Sequence, residues 1–198
     1  MAEGCEPFDL VFLRTSAASP FGRKVRMAIE VLGQSGQVRI DNADTTDPLD
    51  SLRSQNPLGK IPTLLLENGE ALYDSRVIVE YLNERGGQNR LIPAGRERIE
   101  VLREQALGDG ILDAALMQVY ERRFRPATHH VESWLEHQRG KVDRGLSAFC
   151  ERPPTRSEDG ARIGEITLAA ALGYLDFRLA GTWRSTHPAL IQWLDDFA

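Results

Sequence analysis

The stretch Ser19–Arg26, SPFGRKVR, combines a helix start with an unusual set of charges. Serine followed by proline suits the N-cap and first position of a helix, because the serine oxygen accepts an unpaired N–H and proline has no N–H to leave unpaired. The first turns then carry Arg23, Lys24 and Arg26, although the helix dipole favours acidic residues there. The stretch therefore predicts either a helix start suited to an anion, or a plain capped helix with three cations on its solvent-facing side.

The overall composition is that of a globular protein without a strongly basic surface. The chain has 198 residues, 41% of them hydrophobic, and a net charge of −5, which argues against a nucleic-acid-binding surface spread over the protein. No apolar run is long enough to span a bilayer, and the N-terminus lacks a signal-peptide pattern. The two cysteines, Cys5 and Cys150, form no CxxC motif. We therefore expect a reduced, cytoplasmic protein.

Around SPFGRKVR, strand and helix patterns alternate as far as residue 85. Helix patterns begin at Pro20, near Leu49 and after Asp74. Asn68-Gly69, between the last two strand candidates, is a strong hairpin signal. The strands are expected at 8–13, 38–40, 62–66 and 71–73. This order predicts a compact α/β domain over residues 7–85.

The second half of the chain has no strand pattern. Residues 86–95 are rich in glycine, proline and polar residues and predict a linker. Helical spacing follows in 96–124, 128–150, 166–179 and 187–197, so residues 96–198 predict an all-helical domain. Within it, Met117, Tyr120 and Phe124 fall at helical spacing and are expected mainly in the core, with Tyr120 as a candidate contact for a bound molecule.

Two further loops carry groups suited to a peptide-like ligand. Pro62 pushes Ile61 into an extended conformation, in which its N–H and C=O can pair with an extended peptide as an added strand would; a plain loop with a trans proline is the alternative. Asp74 and Ser75 open a helix, and capping alone explains both residues. They also offer an acceptor for an ammonium group and donors for a carboxylate, which an amino acid head group requires.

The sequence gives no sign of a bound metal. The acidic segment 41–50 lacks the glycine and terminal glutamate of an EF-hand loop, so turn and capping roles are expected for it. His130 and His137 are seven residues apart, too far along a helix to ligate one zinc ion.

Taken in this order and spacing, the motifs SPFGRKVR, NPLGKIPTL, YDSRVIVEYL and GYLDFRLAG resemble the glutathione transferase superfamily over nearly the whole chain. The Ser-Pro-Phe start is similar to bacterial members related to the omega and beta types. The classes that use a tyrosine are less similar, since no tyrosine precedes Tyr73. The resemblance implies a thioredoxin-like domain with a mixed four-stranded sheet, then an α-helical bundle domain, usually in a homodimer.

The resemblance also implies site residues for glutathione. Ser19 would donate to the thiolate sulfur, with Ser16 as the reserve candidate. Ile61, ahead of a cis Pro62, would hold the cysteinyl part, and Lys60 would lie near the tripeptide.

At the other end of the tripeptide, the resemblance implies that Asp74 and Ser75 grip the γ-glutamyl group. Tyr120 would contribute to an acceptor pocket. One departure concerns the late core helix, where Arg162-Ile-Gly-Glu165 replaces the usual Ser/Thr-x-x-Asp capping box. Loss of such a cap costs about 1 kcal/mol.

The leading hypothesis is an enzyme that conjugates the glutathione thiolate to a small electrophile, with glutathione as substrate and no metal. The alternative is a non-catalytic interaction module of the same fold, like the stringent-starvation regulators that bind RNA polymerase. A glutathione-dependent reductase or peroxidase is disfavoured, because position 19 is a serine and not a cysteine.

Overall fold

The computed structural model describes residues 10–86, 89–158 and 160–198. The chain divides into two compact units, Met1–Asn89 and Arg90–Ala198, and the division falls inside the segment 86–95. Cys5 and the first two residues of the expected strand 8–13 lie outside the described residues.

The first unit contains a mixed four-stranded sheet, as predicted. The strand order is β2-β1-β3-β4, with β1 parallel to β2 and β3 antiparallel to both of its neighbours. The Asn68-Gly69 hairpin is confirmed by the antiparallel pairing of its flanking strands. In chain order the elements are β1 (Val11–Thr15), α1 (Pro20–Val31), β2 (Val38–Asn42), α2 (Leu52–Gln55), β3 (Thr63–Leu65), β4 (Ala71–Leu72) and α3 (Ser75–Arg85).

The strand β1 lies in the middle of the sheet and carries a buried charge. Arg14 is 6% exposed. Its guanidinium donates to Asp50 Oδ1 over 2.8 Å and to Ser51 Oγ and Gln55 Oε1 over 2.9 Å each, and its Nε lies 3.2 Å from Asp41 Oδ2. These contacts fix the segment before α2 against β1 and β2. The turn and capping roles expected for residues 41–50 are confirmed, since Asp44, Asp47 and Asp50 side chains accept nearby backbone N–H groups.

A second buried polar side chain shapes the loop before β3. Asn56 is 1% exposed, and its amide nitrogen donates to Lys60 O and Thr63 Oγ1 over 3.0 Å each. Its amide oxygen accepts the Leu58 N–H at 3.0 Å. The Thr63 hydroxyl donates to the same Lys60 carbonyl. Asn56 therefore fixes the loop 57–62, because its side chain is bonded to two backbone groups of the loop and to the first residue of β3.

The second unit is helical, as predicted. Residues 163–172 of α6 are all buried, and α6 packs closely on α4, where a Cβ at Gly108 would lie only 2.7 Å from Thr167 Cγ2. Within the described ranges, no helix is both long and apolar enough to cross a membrane. The helices are α4 (Arg96–Phe124), α5 (Glu132–Glu151), α6 (Ile163–Leu179), α7 (Trp183–Thr186) and α8 (Ala189–Phe197).

The start of α6 differs from its prediction. The helix begins at Ile163 and not at 166, because Glu165 accepts the Arg162 backbone N–H at 2.8 Å. The Arg162 side chain has only donors and cannot cap the helix; it bonds to Glu97 at 2.8 Å. Half of a capping box is therefore present, and burial raises the pKa of the Glu165 carboxyl.

Two other predicted helices have different bounds. The expected helix 128–150 is preceded by a 3-10 turn, Ala127–His129, so α5 begins at Glu132. The expected helix 187–197 begins at Ala189, because Pro188 at its N-cap separates it from α7. His187 ends α7, with its backbone N–H bonded to Trp183 O.

Asp50 gives the first unit a testable pH dependence. The backbone N–H groups of Asp44 and Leu52, and then Arg14, lower the pKa of Asp50. A carboxyl with a lowered folded-state pKa stabilises the fold above its unfolded-state pKa, about 4, and that stabilisation disappears as pH falls through the folded-state value. We expect Asp50→Asn to be less stable than the wild type near neutral pH, with a difference that shrinks in acid.

Urea unfolding at about pH 7 and about pH 3 measures this difference. Glu30→Gln, on the exposed side of α1, is the matched carboxyl-to-amide control and should destabilise the protein less than Asp50→Asn near neutral pH. A destabilisation by Asp50→Asn that stays equal at both pH values would contradict the assignment.

Asn56 is expected to contribute strongly to stability. Asn56→Ala removes three hydrogen bonds of a buried side chain, and each contributes about 1 kcal/mol, so we expect the free energy of unfolding to fall by about 2–3 kcal/mol. Asn68→Ala is the matched control, because the exposed Asn68 side chain makes a single hydrogen bond among the described residues, from the Glu70 N–H. It should cost about 1 kcal/mol or less. Equal losses in the two variants would show that Asn56 does not fix this loop.

Candidate functional site

The sheet register brings three predicted loops to one edge of the first unit. The last β1–β3 pair is Arg14 with Thr63, so the residues after β1 and those before β3 leave the sheet at the same edge. Leu64 pairs with Leu72 of β4, and the antiparallel direction places the residues after β4 at that edge too. The segments 16–19, 60–62 and 73–75 therefore meet at the carboxyl end of β1, and these three segments form the edge at which the candidate site lies.

Ser19 lies at this edge as the N-cap of α1. Its Oγ accepts the Gly22 N–H at 3.0 Å, and its own backbone N–H donates to Ser16 O at 3.1 Å. The residue is 8% exposed, whereas Ser16 is half-buried. A hydroxyl that accepts one N–H still has its O–H to donate, so capping and donation to a ligand are compatible at Ser19.

The first turn of α1 packs tightly against the end of β1. A Cβ at Gly22 would lie 1.9 Å from Thr15 Oγ1, so only glycine fits at this position. Thr15 is 1% exposed, and its hydroxyl has no hydrogen-bond partner among the described residues. No local pattern singles out Thr15, because a threonine at the end of a strand is ordinary and its contact with Gly22 depends on the packing of α1.

The cations of α1 do not share one environment. Arg23 is exposed and Arg26 is half-buried. Lys24 is 0% exposed, with its ammonium 5.8 Å from the centre of the Phe21 ring. The interpretation that all three cations lie on the solvent-facing side is therefore wrong for Lys24, because position 24 falls on the packed side of the helix beside Val25 and Ala28.

Ile61 and Pro62 form the second part of the edge. The Ile61–Pro62 peptide is cis. Ile61 is half-buried, and neither its N–H nor its C=O has a hydrogen-bond partner within the described part of the chain. Lys60 has an exposed side chain, while its carbonyl is held by Asn56 and Thr63. The bonds to the Lys60 carbonyl thus fix the backbone next to Ile61, while the N–H and C=O of Ile61 remain available to a ligand.

Asp74 and Ser75 form the third part, at the start of α3. Asp74 is exposed and caps the helix, with its Oδ1 accepting the Arg76 N–H at 2.9 Å; the peptide before it is also cis. Ser75 is 2% exposed and occupies the first position of the helix. In the described ranges, neither its hydroxyl nor its N–H has a hydrogen-bond partner.

The helices α1 and α3 both begin at this edge and run in the same direction. They pack on each other, and Gln34, just beyond the end of α1, donates to Leu82 O in the last turn of α3 over 2.8 Å. Two helix N-termini, each with a partial positive charge, therefore lie at the same edge of the sheet. Such ends attract anions.

Tyr120 belongs to the second unit and is not a core residue. It is 37% exposed, with Met117 at 36% and Phe124 at 60%, so the expectation that these three residues lie in the core is wrong. The buried neighbour on this side of α4 is Glu121, whose carboxylate accepts the Val131 N–H at 3.2 Å. The spacing of these residues in the sequence indicates that they share one side of the helix, but it does not show whether that side is buried in the core or lines a groove.

The exposed aromatic residues line an open groove of about 780 Å³ between α4 and the start of α5. The Tyr120 and Phe124 rings meet edge to face, with centroids 5.2 Å apart. Besides these two, its apolar wall contains Met117, Val131 and Trp134. The groove suits a flat apolar molecule.

In the second unit, burial acts on two further titratable side chains, Tyr174 and Cys150. Burial raises the pKa of Tyr174 to about 12, with Arg178 acting in the opposite direction. Burial also raises the pKa of the Cys150 thiol. In the part of the chain that the structure describes, no group of three or more His, Cys, Asp or Glu side chains is placed to hold a metal ion.

Comparison with known proteins relates this architecture to one family. The family profile of the glutathione S-transferase N-terminal domain matches residues 13–90. The uncharacterized GST-like protein YibF of Escherichia coli K12 is 33% identical over 185 residues, which cover 91% of this chain and 90% of YibF.

Two solved structures are similar over nearly the whole chain. A glutathione transferase family member from Pseudomonas fluorescens Pf-5, with bound glutathione, is 38% identical and superposes with a TM-score of 0.83, covering 94% of this chain and 93% of its own. A glutathione S-transferase from Methylobacillus flagellatus KT, also with glutathione bound, is 36% identical with a TM-score of 0.86 and the same coverage. Sequence, sheet topology and helical second unit agree, and the chain belongs to the glutathione S-transferase superfamily.

Proposed function

We propose that this protein binds reduced glutathione at the carboxyl end of β1 and adds its thiolate to a small electrophilic molecule. The observation that carries the proposal is the meeting of two helix N-termini and the open backbone of Ile61 at one edge of the sheet. That edge offers positive potential, backbone groups for an extended peptide, and a hydroxyl. Both structural neighbours described above contain glutathione.

The γ-glutamyl end of glutathione would be held at α3. Its carboxylate would accept from the Ser75 N–H and hydroxyl, in the field of the helix N-terminus. Its ammonium group would donate to the Asp74 carboxylate, whose Oδ1 already accepts the Arg76 N–H. A carboxylate has lone pairs for several donors, so Asp74 can cap the helix and bind the ligand together.

The cysteinyl residue of glutathione would pair with Ile61 as a short antiparallel strand. Its backbone would take the N–H and C=O of Ile61, which have no partner in the described residues. On the protein side, Asn56 fixes this backbone through its bond to the Lys60 carbonyl, and Pro62 restricts its conformation. Lys60, with an exposed side chain, would lie near a carboxylate of the tripeptide.

Ser19 would then donate its hydroxyl to the sulfur. A free thiol has a pKa of about 8.5, and lowering it by two units requires about 2.7 kcal/mol of preference for the thiolate. One hydroxyl donor to an anion and the N-terminus of α1 are together of this size. The half-buried Ser16 is the second candidate for this role, since its hydroxyl precedes the same helix.

The roles proposed for the two domains, and for the protein in the cell, follow those of the family. We propose that residues 7–85 form the glutathione-binding domain, that 86–95 is the linker and that 96–198 forms the domain that receives the acceptor. Tyr120 would contact an apolar acceptor in the groove of the second unit. The protein would act in the cytoplasm as a homodimer, in the detoxification of electrophiles, without a metal.

Calorimetric titration with glutathione tests the proposal. The wild type should bind, and Ser75→Ala should bind at least about tenfold more weakly, because a hydrogen bond to a charged group contributes about 1.5–3 kcal/mol. Ser185→Ala is the control, because Ser185 is an exposed serine of α7 in the second unit, and it should bind as the wild type does.

Conjugation of glutathione to an activated aryl halide is the second readout. A chain that binds glutathione and forms no conjugate would remove the enzymatic part of the proposal and keep the binding site. A wild type with no measurable affinity for glutathione would overturn the whole proposal in favour of a non-catalytic interaction module.

A further inference from the structure

The groove between α4 and the start of α5, which we call the α4–α5 groove, has one carboxylate among its described lining residues, and that carboxylate is neutralised. The residue is Glu121, which is 3% exposed. Its carboxylate is bonded to the Arg125 guanidinium and accepts the Val131 N–H at 3.2 Å. Because Glu121 and Arg125 compensate each other, the lining of the groove has no unpaired negative charge that would repel an anion.

A guanidinium group lies beside the aromatic wall that α4 contributes. Arg123 is exposed, and its guanidinium carbon lies 5.2 Å from the centre of the Phe124 ring, which lines the groove. Tyr120 holds that ring edge to face. Within the described part of the chain, no carboxylate forms an ion pair with Arg123. A guanidinium that rests its face on an aromatic ring keeps N–H donors at its edge, so Arg123 can still bind an anion.

A second cation lies beside the aromatic ring that α5 contributes. Lys141 is exposed, and its ammonium lies 6.0 Å from the centre of the Trp134 ring, which also lines the groove. Its hydrogen-bond partner among the described residues is an uncharged amide, Gln138 Oε1, at 3.4 Å. Two aromatic rings of the groove thus have a cation beside them, although the net charge of the chain is −5.

The carboxylates at the start of α5 do not cancel this positive charge. Glu132 and Glu136 are both bonded to Arg139, and neither of them lines the groove. Arg123 and Lys141 therefore leave a local excess of positive charge beside an apolar wall. This combination suits a molecule with an apolar body and an anionic group.

We propose that the α4–α5 groove selects an organic anion as acceptor, namely an aryl electrophile that carries a carboxylate away from its reacting carbon. The proposal rests on the proposed function and names the class of its second substrate. The aryl body would lie on Tyr120, Phe124 and Trp134, where burial of apolar surface stabilises it. The carboxylate would accept from Arg123, with Lys141 adding to the attraction.

The carboxylate would take no part in the bond-making step. With an aryl halide, the thiolate sulfur of glutathione forms a bond to the carbon that carries the halogen. The carbon–halogen bond breaks, and the halide leaves with its electron pair. The carboxylate remains on the product. Arg123 would therefore act on acceptor binding alone, and its loss should raise KM and leave kcat nearly unchanged.

Conjugation of 4-chloro-3,5-dinitrobenzoate tests the charge requirement, with 4-chloro-3,5-dinitrobenzamide as the matched neutral acceptor. Arg123→Gln should raise the KM for the benzoate about fivefold, which is the size expected for an exposed ion pair, and change the KM for the amide less than about twofold. Arg122→Gln is the control, because it removes the same charge from the neighbouring position of α4 and Arg122 does not line the groove. It should change neither KM.

Calorimetric titration with 3,5-dinitrobenzoate and 3,5-dinitrobenzamide, which lack the leaving group, separates this proposal from the proposed function. Arg123→Gln should weaken binding of the benzoate about fivefold and leave the amide within about twofold. Such a difference in a chain that forms no conjugate would remove the enzymatic activity and keep the anion-selective groove.

A further variant tests the location without changing charge. Val131 is exposed and lines the groove, so Val131→Trp should fill part of its volume and weaken binding of both compounds by about tenfold. Far-ultraviolet circular dichroism of each variant establishes that it is folded.

Two results would overturn the proposal. Unchanged affinity of folded Arg123→Gln for 3,5-dinitrobenzoate would mean that Arg123 only offsets the C-terminal dipole of α4. A loss in Arg122→Gln as large as that in Arg123→Gln would mean that the general positive potential at the end of α4, and not this groove, attracts the anion.

Discussion

The pairing of β1 with β3 is the constraint on which the proposed site depends. Because the pair Arg14–Thr63 is the last one at that end of β1, the loop to α1 and the loop that ends in Pro62 leave the sheet side by side. A slip of one residue would turn every side chain of β1 to the other face and expose Val11 and Leu13, which are fully buried. The burial of β1 therefore fixes the register, and the register fixes the site.

Several residues at this edge stabilise the fold with the same atoms that would serve the ligand. Ser19 and Asp74 cap α1 and α3, and each keeps further hydrogen-bonding capacity after capping. Behind them, Arg14 and Asn56 hold the neighbouring segments by contacts made on the protein side alone. The polar residues thus have two separate roles. Ser19 and Asp74 lie at the edge and can contact a ligand, whereas the buried Arg14 and Asn56 hold the neighbouring segments in position.

Local patterns predicted much of this arrangement. The Ser-Pro helix start, the Asn68-Gly69 hairpin and the cap at Asp74 depend on neighbouring residues, so sequence alone indicates them. The partners of Arg14 lie up to 41 residues away, and no local pattern connects them. Burial of Lys24 and exposure of Tyr120 also depend on which side of a helix is covered, a property that residue spacing does not contain. The earlier start of α6 depends on one carboxylate, Glu165, that satisfies a cap whose usual serine or threonine is replaced by Arg162.

We infer that the N-terminus of α1 and the Ser19 hydroxyl favour a thiolate at this edge. Ultraviolet absorbance of the thiolate of bound glutathione, followed across pH, measures this directly. We expect the pKa of the bound thiol in the wild type to lie well below its free value of about 8.5. Ser19→Ala should return that pKa most of the way to the free value, whereas Ser16→Ala should leave it low. A wild type in which bound glutathione ionises as it does in free solution, or a Ser19→Ala variant in which it ionises as in the wild type, would show that Ser19 does not stabilise the thiolate.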